Sequence, residues 1–374
     1  MTDTDLEARR YHRWQLWLSV AAFVLTVAVL CAWLWSGAAV ALAVALGARL
    51  GSRAAVVALM LAAVGGSTSA ATFPLDVLRG FVLPRRAGLL SQSLRAWLVD
   101  KAKAVALGGV LGLAAFELLY ALLAWSPQWW WLWGAAALGL GSVLLTAIVP
   151  VWIVPLFYRL TPLTDAPLRE RLLALAARVG VVAAEVSVAD FSRKGRTANA
   201  AVVGLGRTRR ILVSDTLLAN FPPDEVEVVL AHELAHHARG HLARGLLLQL
   251  VLLGASFALA HRALGVATAA FGLPEAADPA GLPLLALLLT GLGLLATPLA
   301  AAWSRRLERQ ADADALEVTR APAAFVAAME RLGRLNLAER RPNRLKELLF
   351  ATHPSLEQRI ALAQAAERRL TAAT

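Results

Sequence analysis

Six long apolar runs set what this chain can fold into. They cover about 14–35, 54–73, 104–125, 132–157, 245–264 and 282–303. Each is close to or above the roughly 20 residues that a helix needs to cross a bilayer core. Composition agrees: 58% of the residues are hydrophobic and the mean hydropathy is +0.60, above the range of ordinary soluble domains. The fold expected is mainly α and polytopic in the membrane. The apolar piece 37–50 is a candidate further segment, so the count is six or seven. The first run exceeds the roughly 7–15 apolar residues of a cleaved signal peptide, which favours a retained helix.

Charge gives an orientation. The chain carries a net charge of +11, and its basic residues collect at particular connections. The stretch 74–103 holds Arg79, Arg85, Arg86, Arg95, Lys101 and Lys103; Arg239 and Arg244, then Arg305, Arg306 and Arg309, flank later runs. The connections 125–131 and 265–281 have no Lys or Arg. The positive-inside rule places the N-terminus, with Arg9, Arg10 and Arg13, and all the polar segments on the cytoplasmic side. Arg49 and Arg53 would then lie in an outer loop, against the trend. This basic balance suits anionic lipid, and no nucleic-acid motif accompanies it. The single cysteine, Cys31, excludes an internal disulfide and a thiolate metal site. Glu117, inside the third run, is either a functional intramembrane carboxylate or a structural partner for a cation.

Residues 158–243 read as a soluble part. Asp165 can cap a helix over 166–179 that Gly180 ends. Strand-like pieces follow at 186–191, 198–205 and 210–214, enough for a small sheet. Pro222, Pro223, Asp224 and Glu225 then suit a helix start. The organisation expected is 1–157, about four membrane helices with the cytoplasmic connection 74–103, and 158–374, an α+β part that includes two more spans near 245–264 and 282–303.

That last helix start leads into His232-Glu233-Leu234-Ala235-His236. Residues four apart share a helix face, so both imidazoles can reach one ion. Glu233 is placed to take a proton from an attacking water. Imidazole suits zinc, and hydrolytic zinc needs a third protein ligand and an open position. The extended pattern H-E-x-x-H-x-x-G-x-x-H is excluded, because Arg239 and Leu242 stand at its glycine and third histidine. His237 and His241 fall off the ligand face and read as polar neighbours of it. The other source is a carboxylate on a later helix. Glu308 and Asp312, four apart just beyond the sixth run, can supply a ligand and a hydrogen-bond partner for a ligand histidine. A chance match on a solvated helix, with Glu308 and Asp312 paired to Arg305, Arg306 and Arg309, is the plain alternative.

Together these motifs resemble the integral-membrane CaaX prenyl proteases of the gluzincin type, the a-factor-converting kind. The resemblance rests on His232 to His236 and on Glu308 with Asp312. It includes Asn199-Ala200 at the head of a strand, Arg210 to Leu218, and His353 to Arg359. Phe73-Pro74 and the segment from Ser93 to Lys101 extend it over nearly the whole chain. It implies a zincin-like catalytic domain with one zinc per chain on His232, His236 and Glu308, and Glu233 as general base. It implies Asp312 beside a ligand, Asn199 and Ala200 holding the substrate backbone by strand addition, and His353 and Arg359 near the developing oxyanion. The family usually has seven membrane helices around a water-filled chamber, which Glu117 could line. The substrate implied is a peptide or membrane-associated protein, prenylated or otherwise. The Ala/Leu/Arg/Gly bias suits a bacterial source, hence a plasma-membrane protein with its site facing the cytoplasm. A broad-specificity quality-control protease would use the same residues. A transporter or scaffold with a vestigial zinc site is the reading from another class.

Overall fold

The computed structural model describes residues 3–183, 185–204 and 209–372. Among them, six helices are long and apolar enough to cross a membrane. Four belong to the first half: α1 (Asp3–Trp35), α3 (Arg53–Val77), α5 (Leu94–Trp125) and α6 (Trp130–Ile148). The apolar piece between the first two is α2 (Ala38–Gly47). At 1.5 Å per residue its ten residues reach about 15 Å, half of the roughly 30 Å hydrocarbon core. It packs instead against its neighbours and the turn Pro279–Gly281. Arg53, out of place by the charge rule, is answered on its own side: its guanidinium donates to the Ala277 carbonyl and lies 3.9 Å from Glu275.

Two π-helical turns extend the ends of α3 and α6, at Leu78–Val82 and Val149–Ile153. Each lies at a proline. Pro84 has no N–H for the Gly80 carbonyl, and Pro150 has none for Thr146, so the ordinary ladder is broken there. Short helices α4 (Leu83–Arg86) and α7 (Val154–Phe157) follow. The bundle's core holds Met60, Tyr120, Trp130 and Phe257, and the Trp130 indole donates to His261 Nδ1 at 3.1 Å. Its outer surface is apolar: Val110 and Leu295 are 67% and 73% exposed, as a lipid-facing surface requires. Glu117 is half-buried and meets no cation among the described residues, so the structural-pair reading is not realised.

The soluble part forms a four-stranded sheet of order β1-β2-β4-β3: β1 (Leu160–Pro162), β2 (Glu185–Ala189), β3 (Ala200–Val203) and β4 (Arg210–Ser214). Strands β2 and β4 are parallel, and the outer pairings are antiparallel. β1 escaped the sequence reading because three residues containing a proline carry no period. The expected strand 198–205 appears as 200–203, with Leu205 outside the described residues. Helix α8 (Ala166–Arg178) is capped as expected, the Asp165 side chain accepting from the Leu168 N–H. Its Leu172 and Leu175 join Ile211, Leu217, Leu230 and Phe325 in a second core.

The motif helix α10 (Pro223–Ala238) follows the short α9 (Asp215–Asn220). It stops at Gly240, whose φ of +63° is left-handed, and the chain resumes as α11 (His241–Ala270). The sixth span is part of α12 (Leu282–Thr319), 38 residues without interruption. One rod therefore carries the span and, beyond it, Glu308 and Asp312. Helices α13 (Pro322–Leu335), α14 (Arg344–Phe350) and α15 (Leu356–Ala372) complete the chain.

Candidate active site

Helix α10 is held from both ends. Pro223 opens it, and Glu225 in its first turn accepts from Arg331 of α13 at 2.9 and 3.2 Å. Val226, Leu230 and Leu234 bury one face, and α12 lies along another. That packing brings three side chains together. Glu308 Oε2 lies 3.2 Å from His232 Nε2, and its Oε1 lies 3.3 Å from His236 Nε2. The two Nε2 atoms are 3.2 Å apart. A tetrahedral ion with bonds of 2.0–2.1 Å places its donors about 3.3–3.4 Å apart, close to the spacing of the two imidazoles and of each imidazole to one Glu308 oxygen. Glu308 Oε2 is also buried without a hydrogen-bond donor, a position that a cation satisfies. The three residues form a group that could hold a metal ion. Arg306 and Arg309 are exposed and form no ion pair among the described residues, so the salt-bridged-helix reading of this stretch is not realised.

Each histidine is oriented through its other nitrogen. His232 Nδ1 lies 2.8 Å from Asp312. Asp312 is in turn gripped by Arg359 of α15, with Nη2 and Nε donating at 2.6 and 2.9 Å. Arg359 was expected beside a developing oxyanion. Its guanidinium lies at the Nδ1 edge of His232, 3.4 Å away, and borders the same cavity as Glu233 and His353. His236 Nδ1 meets His241 Nδ1 at 3.0 Å. With His236 Nε2 committed to a metal, its Nδ1 carries the proton and donates to His241. His241 Nε2 and the nearby Gln310 Oε1 are both buried without a hydrogen-bond partner among the described residues. His241 is 3% exposed and, with His236, borders a cavity on the bundle side. His241→Ala is expected to lower metal affinity 10- to 100-fold, the usual effect of losing such a partner, read by chelator competition.

Two further contacts were beyond sequence reasoning. His237 Nε2 bonds the Val202 carbonyl at 2.8 Å, tying α10 to the edge strand β3. Arg305 is buried on α12 and donates to three carbonyls at the end of α14: Glu347 at 2.7 Å, Ala351 at 2.6 Å and Leu348 at 3.1 Å. A guanidinium suits the partial negative charge and free carbonyls of a helix C-terminus. It fixes the loop 351–355, where His353 Nε2 lies 3.4 Å from Glu308 Oε2. In the sequence Arg305 reads only as a membrane-flanking charge.

Glu233 makes no hydrogen bond among the described residues and borders two cavities. One, of about 550 Å³, is also lined by Asn199, Ala200, His232 and His353. The other, of about 830 Å³, runs toward the bundle past Ser142, Thr146, Gln249 and Ser304. Burial pushes the Glu233 carboxyl above the usual range, against the pull of His232 and His236. That strengthens it as a base. Asn199 borders the first cavity at the head of β3. Ser214 N–H donates to the Asn199 carbonyl at 2.9 Å, so Asn199 pairs inward with β4. Antiparallel alternation then turns the Ala200 N–H and C=O outward. The Val202 carbonyl, of the same parity, indeed points outward to His237.

These features define an integral-membrane metalloprotease with its donor set on two helices at the end of a transmembrane bundle. Residues 162–367 match the model of peptidase family M48, and residues 2–159 match the CAAX prenyl protease N-terminal model, described as five membrane helices. The chain belongs to this family. Its N-terminal region has four helices long enough to cross a membrane, plus α2. The crystal structure of S. mikatae Ste24p superposes with a TM-score of 0.85 at 25% identity, covering 97% of this chain and 90% of that one. An uncharacterized metalloprotease of Bacillus subtilis, YhfN, is 29% identical over 304 residues, 80% of this chain and 71% of its own. CAAX prenyl protease 1 of Saccharomyces cerevisiae is 31% identical over 170 residues, 45% of this chain and 38% of its own. The match thus spans well under half of the yeast relative.

Proposed function

We propose that the protein is a zinc endopeptidase that hydrolyses peptide bonds at the cytoplasmic face of the membrane. The observation that carries this is the His232–His236–Glu308 triangle at tetrahedral spacing, with Glu233 beside it facing a cleft bordered by a free strand edge. Zinc held by these residues would polarise the scissile carbonyl and make water nucleophilic. Glu233 takes the proton from the attacking water and passes it to the leaving amine. His353, 59% exposed at its side chain and next to Glu308, is the donor placed for the oxyanion. Arg359 borders the same cavity, near enough to support the developing oxyanion, and also orients His232 through Asp312. The chain works as a membrane part, 1–157, and a peptidase part, 158–374. The basic connections 74–103, 239–244 and 305–309 support the cytoplasmic orientation.

The substrate lies along β3, bonded to the outward N–H and C=O of Ala200 and positioned by Asn199. Asn199→Ala is expected to raise KM for a peptide severalfold and leave metal content unchanged; loss of metal would remove Asn199 from the substrate side. The substrate chemistry is tested with a farnesylated CaaX-type peptide and its unprenylated twin, before and after metal removal and zinc restoration. Cleavage that disappears and returns with zinc supports the reading, and indifference to chelation sinks it. Preference for the farnesylated peptide supports the prenyl-protease reading. Equal cleavage of many unrelated peptides supports the quality-control reading, which backbone recognition by β3 also accommodates.

A further inference from the structure

We infer that a crevice between α1 and the π turn after α3 is a binding site for one anionic phospholipid. The crevice encloses about 500 Å³ and lies outside the peptidase part. Its walls are the outer faces of α1 and of the segment 78–87, and the two run antiparallel. Their register is set by a polar contact on the inner side: Gln15 donates to the Arg79 carbonyl at 3.0 Å, and the Arg79 guanidinium reaches Ser19 at 3.2 Å and Asp76 at 3.3 Å.

With residues 15–19 level with Arg79, the lining side chains fall into three tiers. Arg10 stands level with Arg86, Trp14 with Val82, and Leu18 with Leu78. Eight helical residues separate the first tier from the third, about 12 Å at 1.5 Å per residue. Along that depth the wall changes from cationic through aromatic to aliphatic. This is the order in which a phospholipid presents phosphate, glycerol level and acyl chain at a membrane boundary. The boundary itself is at Trp14, where the first apolar run begins.

The π turn makes the crevice. A π turn takes up an extra residue, and here it turns Arg79 inward while Leu78 and Val82 remain on the outer wall. Pro84 opens this turn by removing an N–H from the ladder, and its residues Leu78 and Val82 then line the crevice. Charge selects the ligand. Arg10 and Arg86 form no ion pair among the described residues, and the one carboxylate in the lining, Glu7, is likewise unpaired. The net excess is one positive charge, which favours an anionic headgroup over a zwitterionic one. Trp14 and Leu78 are 51% and 44% exposed, large apolar surfaces open to an acyl chain.

The test uses the full-length protein in detergent, mixed with dioleoyl phosphatidylglycerol or dioleoyl phosphatidylcholine, with retained lipid counted by native mass spectrometry. One phosphatidylglycerol is expected to be held in preference to phosphatidylcholine. Arg10→Gln with Arg86→Gln should weaken it roughly 20- to 30-fold, since each cation near a membrane surface contributes about 1 kcal/mol. Val82→Trp, which fills the middle tier and changes no charge, should weaken it as well. Arg9→Gln with Arg13→Gln removes the same charge from α1 outside the crevice and should leave retention intact. Equal losses in the two arginine pairs would mean a diffuse basic belt and overturn the site. So would equal retention of both lipids, or displacement by millimolar inorganic phosphate. Thermal unfolding of each variant in the same detergent separates lost binding from lost fold.

Discussion

Glu233→Gln is expected to keep its metal and lose peptide cleavage, with kcat lower by about 10²- to 10⁴-fold, the range of a general base. Glutamine preserves the shape and half-buried position of the side chain and cannot accept the proton. The residue lies outside the ligand triangle: the three short donor distances join His232, His236 and Glu308 alone. Metal content measured beside turnover therefore separates two roles. Metal retained with cleavage lost identifies the base. Metal lost along with cleavage would make Glu233 a ligand or a scaffold residue. Unchanged turnover would remove the hydrolytic reading altogether, because among the described residues no other carboxylate outside the ligand set borders both the triangle and the cleft without a hydrogen bond.

The parts of this site that sequence reveals are those written along one helix. His232 and His236, and Glu308 and Asp312, are pairs at spacing four, and that period is independent of tertiary structure. The apolar runs were equally legible, since a bilayer demands a minimum length. What failed to show depends on which helices meet. His241 reads in the sequence as a polar neighbour of the ligand face, but it lies past the left-handed break at Gly240, so its specific bond to His236 could not be counted along a helical face. Arg305 reads as a membrane-flanking cation because the carbonyls it binds lie 42 to 46 residues away. Arg359 lies on the Asp312 side of His232 because α15 packs there, and its motif fixes only that it comes near. The short helix α2 was ambiguous for a different reason: its composition suits a span, and only its length of ten residues forbids one.

Asp312→Leu is expected to act on fold and metal together, and a second substitution should separate them. Asp312 is fully buried and holds Arg359, whose side chain is 14% exposed, through two hydrogen bonds. Removing the carboxylate leaves a guanidinium unpaired in the interior, at a cost of about 3–5 kcal/mol. It also frees His232 Nδ1, which should lower metal affinity a further 10- to 100-fold. Replacing both partners, Asp312→Leu with Arg359→Met, removes the stranded charge. Exchanging a buried ion pair for packed apolar groups is often neutral or better for stability, and Phe325 already lies under the guanidinium, 6.0 Å from its ring centre. Thermal unfolding of the double variant should therefore return toward the parent. Chelator competition should not, because His232 still lacks the acceptor that fixes its tautomer. Recovery of both would show that Asp312 serves only to neutralise Arg359; recovery of neither would show that the ion pair itself is needed to seat α15 on the metal helices.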